Sequence, residues 1–187
     1  YRLQLDLDLT FDRVCDLLPY IHDLGISHLY LSPCLKAAAG STHGYDGVDP
    51  GAVDPAQGGQ AAFDRLCRES ARFGMGLVLD IVPNHMATAG RQNPWWWDVL
   101  QHGPHSRYAD FFDIRWDHPD SSLTGRVLIP VLGDEIDRCL ESFQIQLGYR
   151  ERELCITYFE HEFPVSDRSL AQLKSKAAPS VPAGSGA

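Results

Sequence analysis

The chain has 187 residues, 44% hydrophobic and 22% charged, with 4 Trp, 7 Tyr and 8 Phe; this is enough apolar surface for a packed core and excludes a disordered polypeptide. Its 16 basic and 25 acidic residues give a formal net charge of -9, a field that disfavours nucleic acid and anionic membrane surfaces as partners. No run approaches the roughly 20 apolar residues that span a bilayer, and the five cysteines are scattered without a CxxC pair, which points to isolated thiols in a reducing compartment.

Tyr1, Leu3, Leu5, Leu7 and Leu9 alternate with polar residues, and this period of two predicts a strand over 1–9. The absence of an initiator Met, with the strand pattern already under way, suggests that sequence is missing upstream. Phe11, Val14, Leu17, Leu18, Ile21 and Leu24 then share one helical face, with Thr10 as N-cap and Gly25 as terminator. Pro19 is expected to bend that helix, because it cannot donate to the Cys15 carbonyl. ISHLYLSP (26–33) reads as a second strand, and 34–59, rich in Gly, Ala, Asp and Pro, as a long loop. Phe63, Leu66, Cys67, Ser70 and Phe73 mark a second helix, and the apolar run MGLVLDIV (75–82) a third strand of the kind covered on both faces.

Strand, helix, strand, helix, strand makes successive βαβ units of an α/β protein. A barrel and a doubly wound sheet both begin this way, although no GxGxxG follows the first strand to favour dinucleotide binding. Residues 84–120 read as an irregular excursion, 125–133 and 153–163 as strands, and 166–187 as a low-complexity, disordered tail.

The strongest chemical signal is LDIVPNH. Asp80 stands near the end of an apolar strand, where an acid must be paired or hydrogen-bonded. Asn84 and His85 follow at its carboxyl end, where ligands bind in barrels and open sheets alike. The structural alternative is that Asp80 caps a turn and His85 packs passively. In STHGYDGVDP (41–50), Tyr45 offers a flat ring for a pyranose face, while Asp46 and Asp49 could bind hydroxyls or hold the loop. Gly44 would leave room for a ligand; a purely structural loop is an equal reading. NPWWWDVL places Trp95, Trp96 and Trp97 together, but three adjacent rings cannot face one surface, so one or two are expected to anchor the long loop onto the barrel. Asp80, Asn84 and either Asp110 or Asp113 could supply oxygen ligands, yet no evenly spaced acidic loop supports a metal site. The histidines show no HExxH spacing, and neither metal nor cofactor is expected.

The motif DIVPNH resembles the strand-three signature of the α-amylase superfamily of retaining glycoside hydrolases and transglycosylases. YRLQL, LGISHLYLSP, GSTHGYD with VDP, GLVLDIVPNHM, NPWWWDVLQHG, YADFFDI and GRVLIPVLG together resemble, in order and through about Val165, its maltooligosyltrehalose synthase branch. The resemblance implies a partial TIM (β/α)8 barrel of the α-amylase type. Residues 1–85 would be the first three βα units, 86–165 the start of a subdomain inserted after strand three, and 166–187 a disordered or aberrant tail. It implies a cytoplasmic isomerase of trehalose biosynthesis acting on maltooligosaccharides, converting the reducing-end α-1,4 linkage to α,α-1,1 through a covalent intermediate.

By the same resemblance, His85 would donate to the sugar of the −1 subsite, Asn84 would bind beside it, and Asp80 would only support neighbouring groups. Tyr45 would stack on that sugar, with Asp46 holding its loop. The family's nucleophilic Asp, acid Glu and further Asp come from strands four, five and seven. Catalytic residues are therefore expected beyond this chain, which alone would be inactive and would need the remainder of the barrel as partner. Arg115-Trp116-Asp117 has the Arg-x-Asp spacing of the nucleophile but follows no barrel helix, and is not assigned that role. Two alternatives stand beside this reading: another glucosidase or transferase of the superfamily, and a non-catalytic carbohydrate-binding or assembly module.

Overall fold

A computed structural model describes residues 1–177, and the chain forms two compact units, Tyr1–Pro94 and Trp95–Ala187. The first unit runs β1 (Arg2–Leu3), α1 (Phe11–Asp23), β2 (His28–Leu31), β3 (Leu35–Ala37), β4 (Gly47–Val53), α2 (Gly59–Arg72) and β5 (Gly76–Leu79).

Strands β1, β2 and β5 form a parallel sheet in that order, with Arg2 opposite Tyr30, Leu3 opposite Leu31, and Tyr30 opposite Val78. This is an unclosed arc of a (β/α) barrel. Leu3, Leu29 and Leu31 project from one face into a core completed by Leu5, by Phe11, Val14, Leu18 and Ile21 of α1, and by Ala62 and Leu66 of α2. The two helices also meet through Phe11 and Phe63, edge to face with centroids 5.4 Å apart. Strand β5 is not covered on both faces as expected: Val78, on the face opposite the leucines, is 49% exposed, and Leu79, on the leucine face at the edge unpaired among the described residues, 43%.

The first strand is shorter than its alternation predicts. Asp6 Oδ1 accepts hydrogen bonds from the backbone N–H groups of Asp8 (2.8 Å) and Leu9 (2.7 Å), so the carboxylate turns the chain where the pattern would continue it. Thr10 occupies the N-cap of α1 but its side chain makes no capping bond. Gly25 closes that helix at φ +77°, its N–H donating to His22 O at 2.8 Å. The stretch 34–59 is not simply a loop, since β3 and β4 pair antiparallel with register shifts. Asp54 fixes the foot of this hairpin by accepting from Ala37 N (3.4 Å) and Ala56 N (2.9 Å).

The second unit contains α3 (Pro94–His102), α4 (Ile136–Glu141), β6 (Ile145–Arg150), β7 (Glu153–Tyr158), β8 (His161–Pro164) and α5 (Asp167–Ala177). Strands β6, β7 and β8 form an antiparallel sheet. The irregular excursion thus includes a helix, and the strand expected at 153–163 is a hairpin. The run 125–133 is no strand: Pro130 has no N–H for a ladder and Leu128 is 79% exposed. Disorder from Ser166 is corrected for Asp167–Ala177, which is helical; residues 178–187 lie outside the described residues. No described helix is long and apolar enough to cross a membrane.

Candidate functional site

Parallel pairing sets the inner face of the sheet, because alternate residues share a side. Arg2 of β1, Tyr30 of β2 and Asp80, just past β5, all lie on it. The ladder extends to Asp80, whose N–H donates to Leu31 O at 2.9 Å. Tyr45 arrives from the loop before β4. Its hydroxyl donates to Asp80 Oδ2 at 2.6 Å, Tyr30 donates to the same oxygen at 2.9 Å, and Arg2 Nη2 donates to the Tyr45 hydroxyl at 3.1 Å.

His85 closes the other side, with Nε2 3.0 Å from Tyr45 O and Nδ1 3.1 Å from Asn84 Oδ1. A carbonyl can only accept, so Nε2 carries the proton. In the neutral ring Nδ1 then accepts, which requires the Asn84 amide to present its NH2 to it. Asp46 accepts from Ser41 Oγ at 2.5 Å, and the same Ser41 oxygen accepts from Gly44 N at 3.1 Å. Its carboxylate is thereby spent on loop support.

Gly44, before Tyr45, also answers a demand of the backbone. It lies at φ +77°, and a Cβ there would stand 2.9 Å from Pro33 O, so the missing side chain makes room for the β2 terminus. Sequence reasoning brought Tyr45, Asp80, Asn84 and His85 to one place but missed Arg2 and Tyr30. Alternation held the signal: residues 2, 30 and 80 all face away from the buried leucines.

The two phenols hold the Asp80 carboxyl below the ordinary carboxylate value, Tyr45 contributing most and Tyr30 next. The same bond pushes the Tyr45 phenol up, with the Arg2 bond opposing. For Asp80 the sign follows directly. Stabilisation by these bonds is full above the ordinary Asp value of about 3.9 and is lost as pH falls through the lowered folded value. Tyr45→Phe is therefore expected to raise the Asp80 midpoint, read from the aspartate 13Cγ shift by NMR; an unmoved midpoint would show that the phenol does not bond the carboxylate.

A small cavity of about 40 Å³ is bounded by Pro33, Gly44, Asp49, Asp80, His85 and Met86. It has room for about one water, at roughly 30 Å³ each, and is too small for a pyranose. A cavity of about 860 Å³ in the second unit, beside Trp116 and Arg126, is larger, but its one lining carboxylate, Asp167, is hydrogen-bonded to His102 at 2.6 Å. The tryptophans were expected to anchor the long loop onto the barrel, but their ring partners lie within the second unit. Trp95 stacks on Tyr108 at 4.9 Å, Trp96 packs on Phe112 at 5.2 Å, and Trp97 is buried. Among the described residues no group of three or more His, Cys, Asp or Glu is placed to hold a metal.

Residues 10–137 match the family described as alpha amylase, catalytic domain. A putative maltooligosyl trehalose synthase of Mycobacterium tuberculosis is 48% identical over 143 residues, covering 73% of this chain and 18% of that protein. Neopullulanase 2 of Thermoactinomyces vulgaris is 44% identical over 111 residues, covering 59% of this chain and 18% of that protein. The solved maltooligosyltrehalose synthase of Arthrobacter ramosus superposes with a TM-score of 0.77 at 42% identity, over 89% of this chain and 21% of that one. The chain spans about a fifth of the length of these relatives.

Proposed function

This chain belongs to the α-amylase catalytic-domain family, and from that premise we propose that it is part of an intramolecular transglucosylase that ends maltooligosaccharides in trehalose. The observation that carries the reading is the convergence of Tyr45, Asp80 and His85 at the carboxyl ends of parallel strands. The likeness to two synthases supports the substrate class.

Within that enzyme Tyr45 presents its ring to the sugar at the cleavage point, and Asp80 organises the wall behind it. His85 and Asn84 bind hydroxyls once Nε2 turns from the Tyr45 carbonyl to the sugar, and Asp46 serves through its loop. The nucleophilic aspartate and acid glutamate come from barrel strands other than the three described, so this chain alone is inactive. Further barrel strands pair along the free edge of β5 and close the barrel around the exposed inner face, and residues 86–165 begin the inserted subdomain. In the reaction the carboxylate attacks the anomeric carbon, the acid protonates the leaving oxygen, and the released glucose attacks the glycosyl-enzyme through its own anomeric hydroxyl. A cytoplasmic setting is part of this reading, and five free cysteines support it; burial pushes the Cys34 thiol up to about 12, far from a reactive thiolate.

A hydrolytic reading also has support, in the identity to neopullulanase 2. Maltopentaose incubated with the full-length protein separates the two. A non-reducing oligosaccharide of unchanged length is expected from the transglucosylase, whereas accumulation of glucose and maltose would reject it.

A further inference from the structure

We propose that Arg2 and Tyr30 are positioning residues that lock Tyr45 and Asp80 together, so that Tyr45 meets its ligand as a preset ring face and not as a free hydroxyl. The inference rests on the reading of Tyr45 as a sugar-holding residue.

The contacts form a closed circuit through four segments of chain. Arg2 Nη2 donates to the Tyr45 hydroxyl (3.1 Å), Tyr45 donates to Asp80 Oδ2 (2.6 Å), and Tyr30 donates to the same Oδ2 (2.9 Å). The Arg2 guanidinium, 5.4 Å from the Tyr30 ring centroid, completes it. The Tyr45 hydroxyl has one proton, which Asp80 takes, and Arg2 occupies one of its lone pairs. It has no proton left to offer a sugar.

Ladder pairing places Arg2 directly opposite Tyr30, so the cation and the ring it covers are set by the sheet and not by a loop. Arg2 Nη1 also donates to Gln4 Oε1 at 3.1 Å, which orients the guanidinium plane. An arginine suits this place because its flat fork can stack on one ring while donating to two partners; a lysine ammonium is a point charge without that plane. The Tyr45 backbone is held as well, by His85 at its carbonyl and by His43 Nδ1, which accepts from its N–H at 3.0 Å. Stacking depends on the plane of the ring, and the circuit fixes that plane before ligand arrives.

The test has two arms. In the 187-residue chain with 13Cζ-labelled tyrosine, Tyr45→Phe assigns the Tyr45 resonance. Arg2→Met is expected to move the Tyr45 titration midpoint upward, because the guanidinium no longer favours the phenolate. Arg2→Lys should shift it less. Tyr30→Phe, which removes a single oxygen, should raise the Asp80 midpoint and serves as the second variant should Arg2→Met fail to fold. An unmoved Tyr45 midpoint in a folded Arg2→Met chain, or an unmoved Asp80 midpoint in Tyr30→Phe, overturns the proposal. In the full-length protein acting on maltopentaose, Arg2→Met is expected to lower kcat about tenfold, with partial recovery in Arg2→Lys. An unchanged kcat overturns it too. Absence of a non-reducing product from the wild-type protein would instead reject the transglucosylase reading, and the titrations would still decide the positioning.

Discussion

Phe11→Ala is expected to destabilise the first unit by about 3–5 kcal/mol, the range for deleting a buried aromatic side chain from a core. Phe11 is fully buried at the first position of α1, in one cluster with Leu3, Leu5, Val14, Leu18, Leu29, Leu31 and Leu66. Its edge-to-face contact with Phe63 joins the two helices that cover the sheet, and such a pair adds about 0.5–1.5 kcal/mol beyond the area it buries. Sheet leucines and both helices line the vacated volume, so collapse into it would require a helix to move. Small domains hold about 5–15 kcal/mol in total, so the loss is a large share of the whole. Urea unfolding followed by far-UV circular dichroism measures it, with Phe11→Leu as a milder control. A loss below about 1 kcal/mol, typical of surface changes, would mean that the helices do not meet across Phe11.

Where local chemistry and tertiary structure agree, the sequence could be read. The apolar stripe from Phe11 to Ile21 folds as its period predicts, and the run 75–82 yields a strand, though only over Gly76–Leu79; Asp80 stands where the strand opens. The alternation through Leu9 misled because it carries no information about Asp6, whose carboxylate captures two N–H groups and ends the strand early. Strand β6 escaped notice for another reason. Its two-residue turn is Glu151-Arg152, both at positive φ, whereas the usual signal for such a turn is Asn-Gly or Asp-Gly. Pro130 had the opposite effect, since GRVLIPVLG looks like a strand until its missing donor is counted. At the site, the residues nearest the expected chemistry were legible through their motif. Arg2 and Tyr30 were not, because their contribution arises only when ladder register brings positions 2, 30 and 80 onto one face.

Gly44→Ala is expected to lower kcat/KM of the full-length protein on maltopentaose about a hundredfold, the effect of displacing a binding group by about 1 Å. Two costs combine at this position. An L residue at φ +77° carries about 1–2 kcal/mol of backbone strain. Beyond that, the new Cβ would lie 2.9 Å from Pro33 O and 3.3 Å from Pro33 Cβ. Pro33 stands two residues past the end of β2, after the buried Ser32 whose N–H donates to Leu3 O, and cannot yield without moving the end of the sheet, so the loop must lift instead. Tyr45 is the next residue, and lifting it opens the bond to Asp80 and withdraws the carbonyl that faces His85. Gly40→Ala supplies the comparison, since Gly40 has a similar φ of +83° with nothing within 4 Å of its Cβ. It should carry the strain without the displacement, and leave kcat/KM within a few-fold of the wild-type value. If the two substitutions have equal effects, the close approach of Gly44 to Pro33 does not set the position of Tyr45, and that ring cannot be the fixed wall of the sugar site.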